Sequence, residues 1–198
     1  MEEKRAAYIK ESLKLFLKHG VKKVTVGQLT KHLNISSKTL YLLFGDKNGL
    51  VEACFELYKA NSRKAYQQLE QESENVAETM VRFYHMLVEA LSRMNPQFFA
   101  DIDRYFPKIW DNDEAFSQHQ SQALIEQGVA EDIFVANLDP SICAETLTML
   151  LSSMFTRERL NGSSTDHLLT NVLWPYVRGL CTPEGLAQFR KYRKQLGK

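Results

Sequence analysis

What the chain has little of narrows it first. Three cysteines, an odd number, build no disulfide framework, and no Cys-x-x-Cys pair is present, which excludes a zinc ribbon and a thioredoxin-like centre. Nine glycines and five prolines in 198 residues exclude collagen-like and proline-rich architectures. No run approaches the ~18 apolar residues of a membrane span. The start, Met1-Glu2-Glu3-Lys4-Arg5, lacks the apolar stretch of a signal peptide. These absences lead us to expect a reduced, cytoplasmic protein with no membrane partner. The five histidines form neither His-x3-His nor His-Glu-x-x-His, so no metal site is expected. Phosphate loops, nucleophile elbows and paired-acid signatures are also missing, and we expect neither an enzyme nor a cofactor.

What is present is an ordinary globular composition, 44% apolar and 25% charged, with an uneven charge distribution. The net charge is +1, yet residues 1–47 hold ten Lys and Arg against four acids, or +6. The remainder holds fifteen bases against twenty acids, or −5. A basic head on an acidic body suits a nucleic-acid-binding module attached to something else.

Helical periodicity runs through nearly the whole chain, and no long alternating stretch argues for strands. Ile9, Leu13, Phe16 and Leu17 form one apolar stripe, ended by His19-Gly20. Thr25 to Gln28 fits a capping box, with Val26, Leu29 and Leu33 facing inward. After a turn at Asn34-Ile35-Ser36, Ser36 or Ser37 caps a third short helix that turns Leu40 and Phe44 inward. Asp46 caps a fourth, long helix to about Glu70, and Ser73 or Asn75 starts the next, ending near Met94. Asn95-Pro96, Asp139-Pro140 and Thr182-Pro183 each pair a capping residue with Pro at the first helical position. We expect a helix over 113–127 ended by Gly128, with Asp111, Asp113 and Glu114 near its start, and a loop at 161–164. Cys54, Cys143 and Cys181, in apolar helical surroundings, read as buried, inert thiols.

Two short helices joined by a tight turn and braced by a first helix describe a helix-turn-helix unit. Its second helix must be short, exposed on one face and polar at its N-terminus, so that side chains reach base edges and free N–H groups face phosphate. The segment Ser36-Ser37-Lys38-Thr39-Leu40-Tyr41-Leu42-Leu43-Phe44 meets these needs.

Residues 6–55 resemble the DNA-binding domain of TetR/AcrR-type transcriptional regulators. The resemblance lies in the Ile9 to Phe16 stripe, His19-Gly20, Val24-Thr25-Val26, Leu29, Ile35 to Phe44, and then Gly45-Asp46-Lys47-Asn48-Gly49-Leu50. It implies that Thr25 and Lys47 contact phosphate. It also implies that Ser36, Ser37, Lys38 and Thr39 face the major groove or its rim, and that Tyr41 meets the phosphodiester backbone. Members usually carry aromatic or His side chains where this chain has Leu42-Leu43; Leu42 is a candidate apolar contact to a thymine methyl.

The resemblance further implies an all-α fold. A three-helix helix-turn-helix domain over 1–47 is joined by a long shared helix to a helical effector-binding and dimerisation domain over 48–198, with nine or ten helices in all. The boundary near residue 48 divides functions more than folding units. Candidate pocket residues are Tyr84, His85, Phe99, Arg104, Phe106, Trp110, Phe116, His119 and Met149, with Met86, Met154 and Arg157 as further wall or polar groups. Candidate dimer-interface residues are Leu147, Leu151, Met154, Leu169, Val172, Leu173 and Tyr176, on stripes that equally suit a subunit's own core. A two-fold homodimer would read a palindromic double-stranded operator with half-sites about 34–36 Å apart or a multiple of that. The expected function is a repressor released by a small apolar or aromatic effector. The alternatives are an activator or protein-sensing regulator of the same fold, or a helical carrier or enzyme without a DNA role.

Overall fold

The computed structural model describes residues 2–156 and 164–195, without the side chains of residues 111–114, 154–156 and 165. The described elements are α1 (Glu2–His19), α2 (Val26–Leu33), α3 (Ser37–Phe44), α4 (Lys47–Glu72), α5 (Val76–Ser92), α6 (Gln97–Tyr105), α7 (Pro107–Ala130), α8 (Pro140–Thr156), α9 (Thr165–Leu168), α10 (Trp174–Leu180) and α11 (Pro183–Gln195). A π-helical turn over Leu169–Leu173 joins α9 to α10, so 165–180 is one run and the described helices number ten. The all-α expectation holds; the nearest thing to a strand among the described residues is an isolated antiparallel bridge between Phe134 and Cys181. No helix among these residues is long and apolar enough to cross a membrane. The chain packs as two units, Met1–Ala65 with Arg93–Trp110, and Tyr66–Ser92 with Asp111–Lys198.

In the first unit, α1 buries Ile9, Leu13 and Phe16. Gly20, at φ +79°, takes the left-handed position that ends it and donates its N–H to the Phe16 carbonyl at 2.8 Å. The capping box forms: Thr25 Oγ1 accepts the Gln28 amide at 3.2 Å, and Gln28 Oε1 accepts the Thr25 amide at 2.8 Å. Asn34, also left-handed, closes α2, and Ser36 rather than Ser37 caps α3 by accepting the Thr39 amide at 3.0 Å. Asp46 Oδ1 accepts the Gly49 amide at 2.8 Å at the head of α4. Asn95 and α6 complete the unit. The Asn95 amide donates to the Leu17 carbonyl at 2.7 Å, and Asn95 Oδ1 accepts the Gln97 amide at 2.9 Å. Phe55, Tyr58, Phe98, Phe99 and Trp110 pack edge-to-face and tilted, with Phe98 and Phe99 at 5.2 Å between ring centroids.

The second unit buries one contiguous core that includes Ala77, Met80, Ile125, Phe134, Leu173, Val177 and Phe189. Asn75, rather than Ser73, caps α5 by accepting the Glu78 amide at 3.0 Å. Two sequence expectations are corrected here. The first concerns the start of α7, which is Pro107, a residue suited to the first helical turn. Asp111, Asp113 and Glu114 therefore sit inside the helix, and their side chains lie outside the described residues. The second concerns Gly128. It does not end α7, which continues to Ala130; the left-handed position falls on Asp132 at φ +56°. Gly128 is required instead because a Cβ there would enter the Phe134 ring. Of the expected loop at 161–164, residues 161–163 lie outside the described residues, and Ser164 Oγ accepts the His167 amide at 3.2 Å.

Candidate DNA-binding surface and ligand slot

The turn of three residues between α2 and α3 leaves α3 anchored on one side and open on the other. Leu40 and Phe44 are buried, whereas Ser37 and Lys38 are exposed. Tyr41 is 48% and Leu42 is 80% exposed. Residues 38, 41 and 42 stand three and four apart, so they share one face of the helix. Thr39 is half-buried, and its hydroxyl lies 2.9 Å from that of Ser36. Thr25 and Ser36 thus serve as caps whatever else they touch. Arg5 places its guanidinium 5.2 Å from the Phe44 ring centroid, a bracing contact between α1 and α3 that the sequence pattern did not reveal.

Lys47 begins α4 and is half-buried. Its Nζ donates to the Val21 carbonyl at 2.7 Å. Partial burial lowers its pKa, and the nearby Asp101 carboxylate works in the opposite direction. A groove of surface between α1 and α2 collects His19, Lys23, Lys31 and His32 and extends the basic character of this unit.

Residues 9–54 match the family model described as bacterial regulatory proteins, tetR family. These residues span most of α1, all of α2 and α3 and the head of α4, so the helix-turn-helix is the part of the chain that is similar to that family. The fold of the chain is likewise that of tetR-family regulators. A regulatory protein TetR from Rhodobacter sphaeroides superposes with a TM-score of 0.75 at 16% identity, covering 88% of this chain and 97% of that one. CprB, a TetR family protein from S. coelicolor A3(2), gives 0.71 at 18% identity, covering 98% and 96%. A gamma-butyrolactone receptor (ArpA like protein) gives 0.69 at 18% identity, again covering 98% and 96%. At such identities the likeness shows the fold alone. No curated protein matches the chain by sequence.

Away from the helix-turn-helix, the second unit contains a slot between α5, the 165–180 run and α11, with about 570 Å³ of free space counting its open mouth. Of the candidate pocket residues it includes Tyr84 and His85; Val81, Val88, Asp166, Leu169, Thr170, Trp174, Phe189 and Arg193 complete it. The other seven candidates are placed elsewhere. Phe99 and Trp110 are packed into the first unit's aromatic cluster. Arg104 is exposed beside Tyr105, Phe106 is half-buried at the α6–α7 junction, and Phe116 and His119 are exposed on α7. Met149 is 57% exposed on α8. Met86 is half-buried on α5, and Arg157 lies outside the described residues.

Among the candidate interface residues, Leu147, Leu169 and Leu173 are buried in the subunit's own core. Leu151, Val172 and Tyr176 are half-buried, and Tyr176 donates its hydroxyl to the Cys143 carbonyl at 2.9 Å. The Met154 side chain lies outside the described residues. Among the described residues of α8, the large apolar side chains left open are Ile142 and Met149, seven residues apart on one face.

Proposed function

We propose that the chain is a ligand-responsive transcriptional repressor that binds a palindromic operator as a homodimer. The observation that carries the reading is α3: an eight-residue helix with its inner side anchored by Leu40 and Phe44 and its outer side open at Ser37, Lys38, Tyr41 and Leu42. Lys38 supplies a phosphate or guanine contact, Tyr41 packs on the backbone, and Leu42 offers an apolar base contact. The open face of α8 at Ile142 and Met149, with the outward side of the 165–180 run at Asn171, Pro175 and Gly179, supports dimerisation through those elements.

The slot in the second unit supports a small-molecule signal, as does the fold shared with a gamma-butyrolactone receptor, an analogy of architecture only. The helix α4 begins in one unit and ends in the other, so a change in its path reaches both. An effector that prefers the state with misplaced recognition helices lowers operator affinity by its differential affinity for the two states and by no more.

Selection of bound duplexes from a random DNA pool at fixed moderate salt tests the reading. Enrichment of a palindrome is the expected result. Absence of binding after denaturation and refolding to strip any retained ligand would overturn it.

A further inference from the structure

The slot between α5, the 165–180 run and α11 is built for one kind of occupant. Its walls are apolar and aromatic: Val88 on one side, Trp174 and Phe189 on the other, with the latter two rings 5.3 Å apart. The Arg193 guanidinium lies 5.0 Å from the Trp174 ring centroid, which holds a cation at the edge of an apolar surface. Arg193 is half-buried and has no ion pair or hydrogen bond among the described residues. The His85 ring, also half-buried, likewise has no hydrogen-bond partner there. Asp166, the one acid among the described lining residues, is exposed to solvent at the start of the run. The π-helical turn Leu169–Leu173 borders the slot, a local irregularity often found at binding sites.

A half-buried guanidinium and an imidazole that find no ion-pair or hydrogen-bond partner among the described residues, above apolar walls, are complementary to an anion with an apolar body. We infer that the slot binds an aromatic monocarboxylate, its ring between Val88, Trp174 and Phe189 and its carboxylate on Arg193, assisted by His85. The inference deepens the effector reading by naming a ligand class. Because binding is measured without DNA, its failure and the failure of the DNA-binding reading are separate results.

The test uses the full chain, with 2-naphthoate, the neutral 2-naphthamide and the cationic 2-naphthylmethylamine as probes, in calorimetric titration and thermal unfolding. The naphthoate is expected to raise Tm and to bind about tenfold more tightly than the amide, as a charge-assisted hydrogen bond allows. Arg193→Met, which keeps the stem over Trp174, is expected to bring the naphthoate down to the amide's affinity and to leave the amide unchanged. Val88→Trp is expected to remove binding of both; if that variant does not fold, Arg193→Met decides alone. Naphthoate that binds no tighter than the amide, or that is insensitive to Arg193→Met, overturns the inference. So does a preference for the amine, which would mean that Asp166 sets the sign of the site.

Discussion

The carboxylate of Asp101 on α6 accepts the backbone N–H of Lys22, 79 residues earlier, at 2.7 Å. Asp101 is itself buried, and its charge also acts on Lys47 at the head of α4. One side chain thus ties α6 to the loop between α1 and α2. Replacing it leaves the Lys22 amide without its acceptor, and a lost partner of this kind costs about 1–3 kcal/mol. Asp101→Ala is expected to lower the urea midpoint of unfolding accordingly, with Asp101→Asn recovering part of the loss because its carbonyl still accepts. An unchanged midpoint in the alanine variant would show that the bond contributes nothing net.

Leu42 puts an apolar side chain on the open face of α3. If it reads a thymine methyl, replacing thymine by uracil at the critical step of a selected operator removes its partner. The expected loss is about tenfold, at the low end of what a specific base contact contributes. Leu42→Ala is expected to abolish the difference between the thymine and uracil duplexes. Equal affinity of the native protein for both would remove Leu42 from the reading set.

Lys38 on the same face is a cation in a segment of net charge +6. Lys38→Ala is expected to weaken operator binding. If its contact is a phosphate, the slope of log affinity against log salt falls by about one and all sequences lose affinity alike. Sedimentation of the free variant is expected to match that of the parent. A variant that binds DNA normally would move the recognition surface off α3.

Two glycines near the helix-turn-helix should respond oppositely to alanine. A Cβ on Gly49 would collide with the Phe44 carbonyl, a backbone atom at the α3–α4 join that cannot step aside. Gly49→Ala is expected to lower Tm and to impair DNA binding with it. Gly27 lies exposed in the first turn of α2, where an added Cβ meets only Thr25 Oγ1 at 4.0 Å. Gly27→Ala is expected to stabilise by about 0.4–1 kcal/mol, because alanine narrows the unfolded ensemble. Differential scanning calorimetry of the pair checks both signs.

Cys54 is buried and donates its thiol to the Ile9 carbonyl at 3.4 Å. Burial pushes its pKa up from 9.0 to about 12. Folding therefore favours the protonated thiol. Its contribution to stability is present in full below pH 9 and is lost as the pH climbs towards 12. Native Cys54 is expected to resist iodoacetamide at pH 8 and to react once the chain is unfolded, as peptide mass mapping would show. Rapid native labelling would contradict its burial.

The parts legible in the sequence are those whose causes lie within a few residues of one another. The Thr25–Gln28 capping box, the left-handed Gly20, the cap at Asp46 and the inward Leu40 and Phe44 all follow from spacings of three or four along a helix, and all stand in the structure. The helix-turn-helix is a sum of such local rules, so it could be read before any coordinate was known. The ligand slot is different. It forms only where α5 meets α11, whose Val81 and Arg193 lie more than a hundred positions apart, and no local pattern marks Arg193 as one of its walls. Gly128 shows the same division: a glycine near a helix end suggests a cap, yet the neighbour that requires it is the Phe134 ring folding back over α7. Amphipathic stripes on α8 and the 165–180 run established that those helices bury a face. Only packing decided that Leu147 and Leu173 point into their own subunit while Ile142 and Met149 stay open, because periodicity determines which residues share a face and says nothing about what that face will meet.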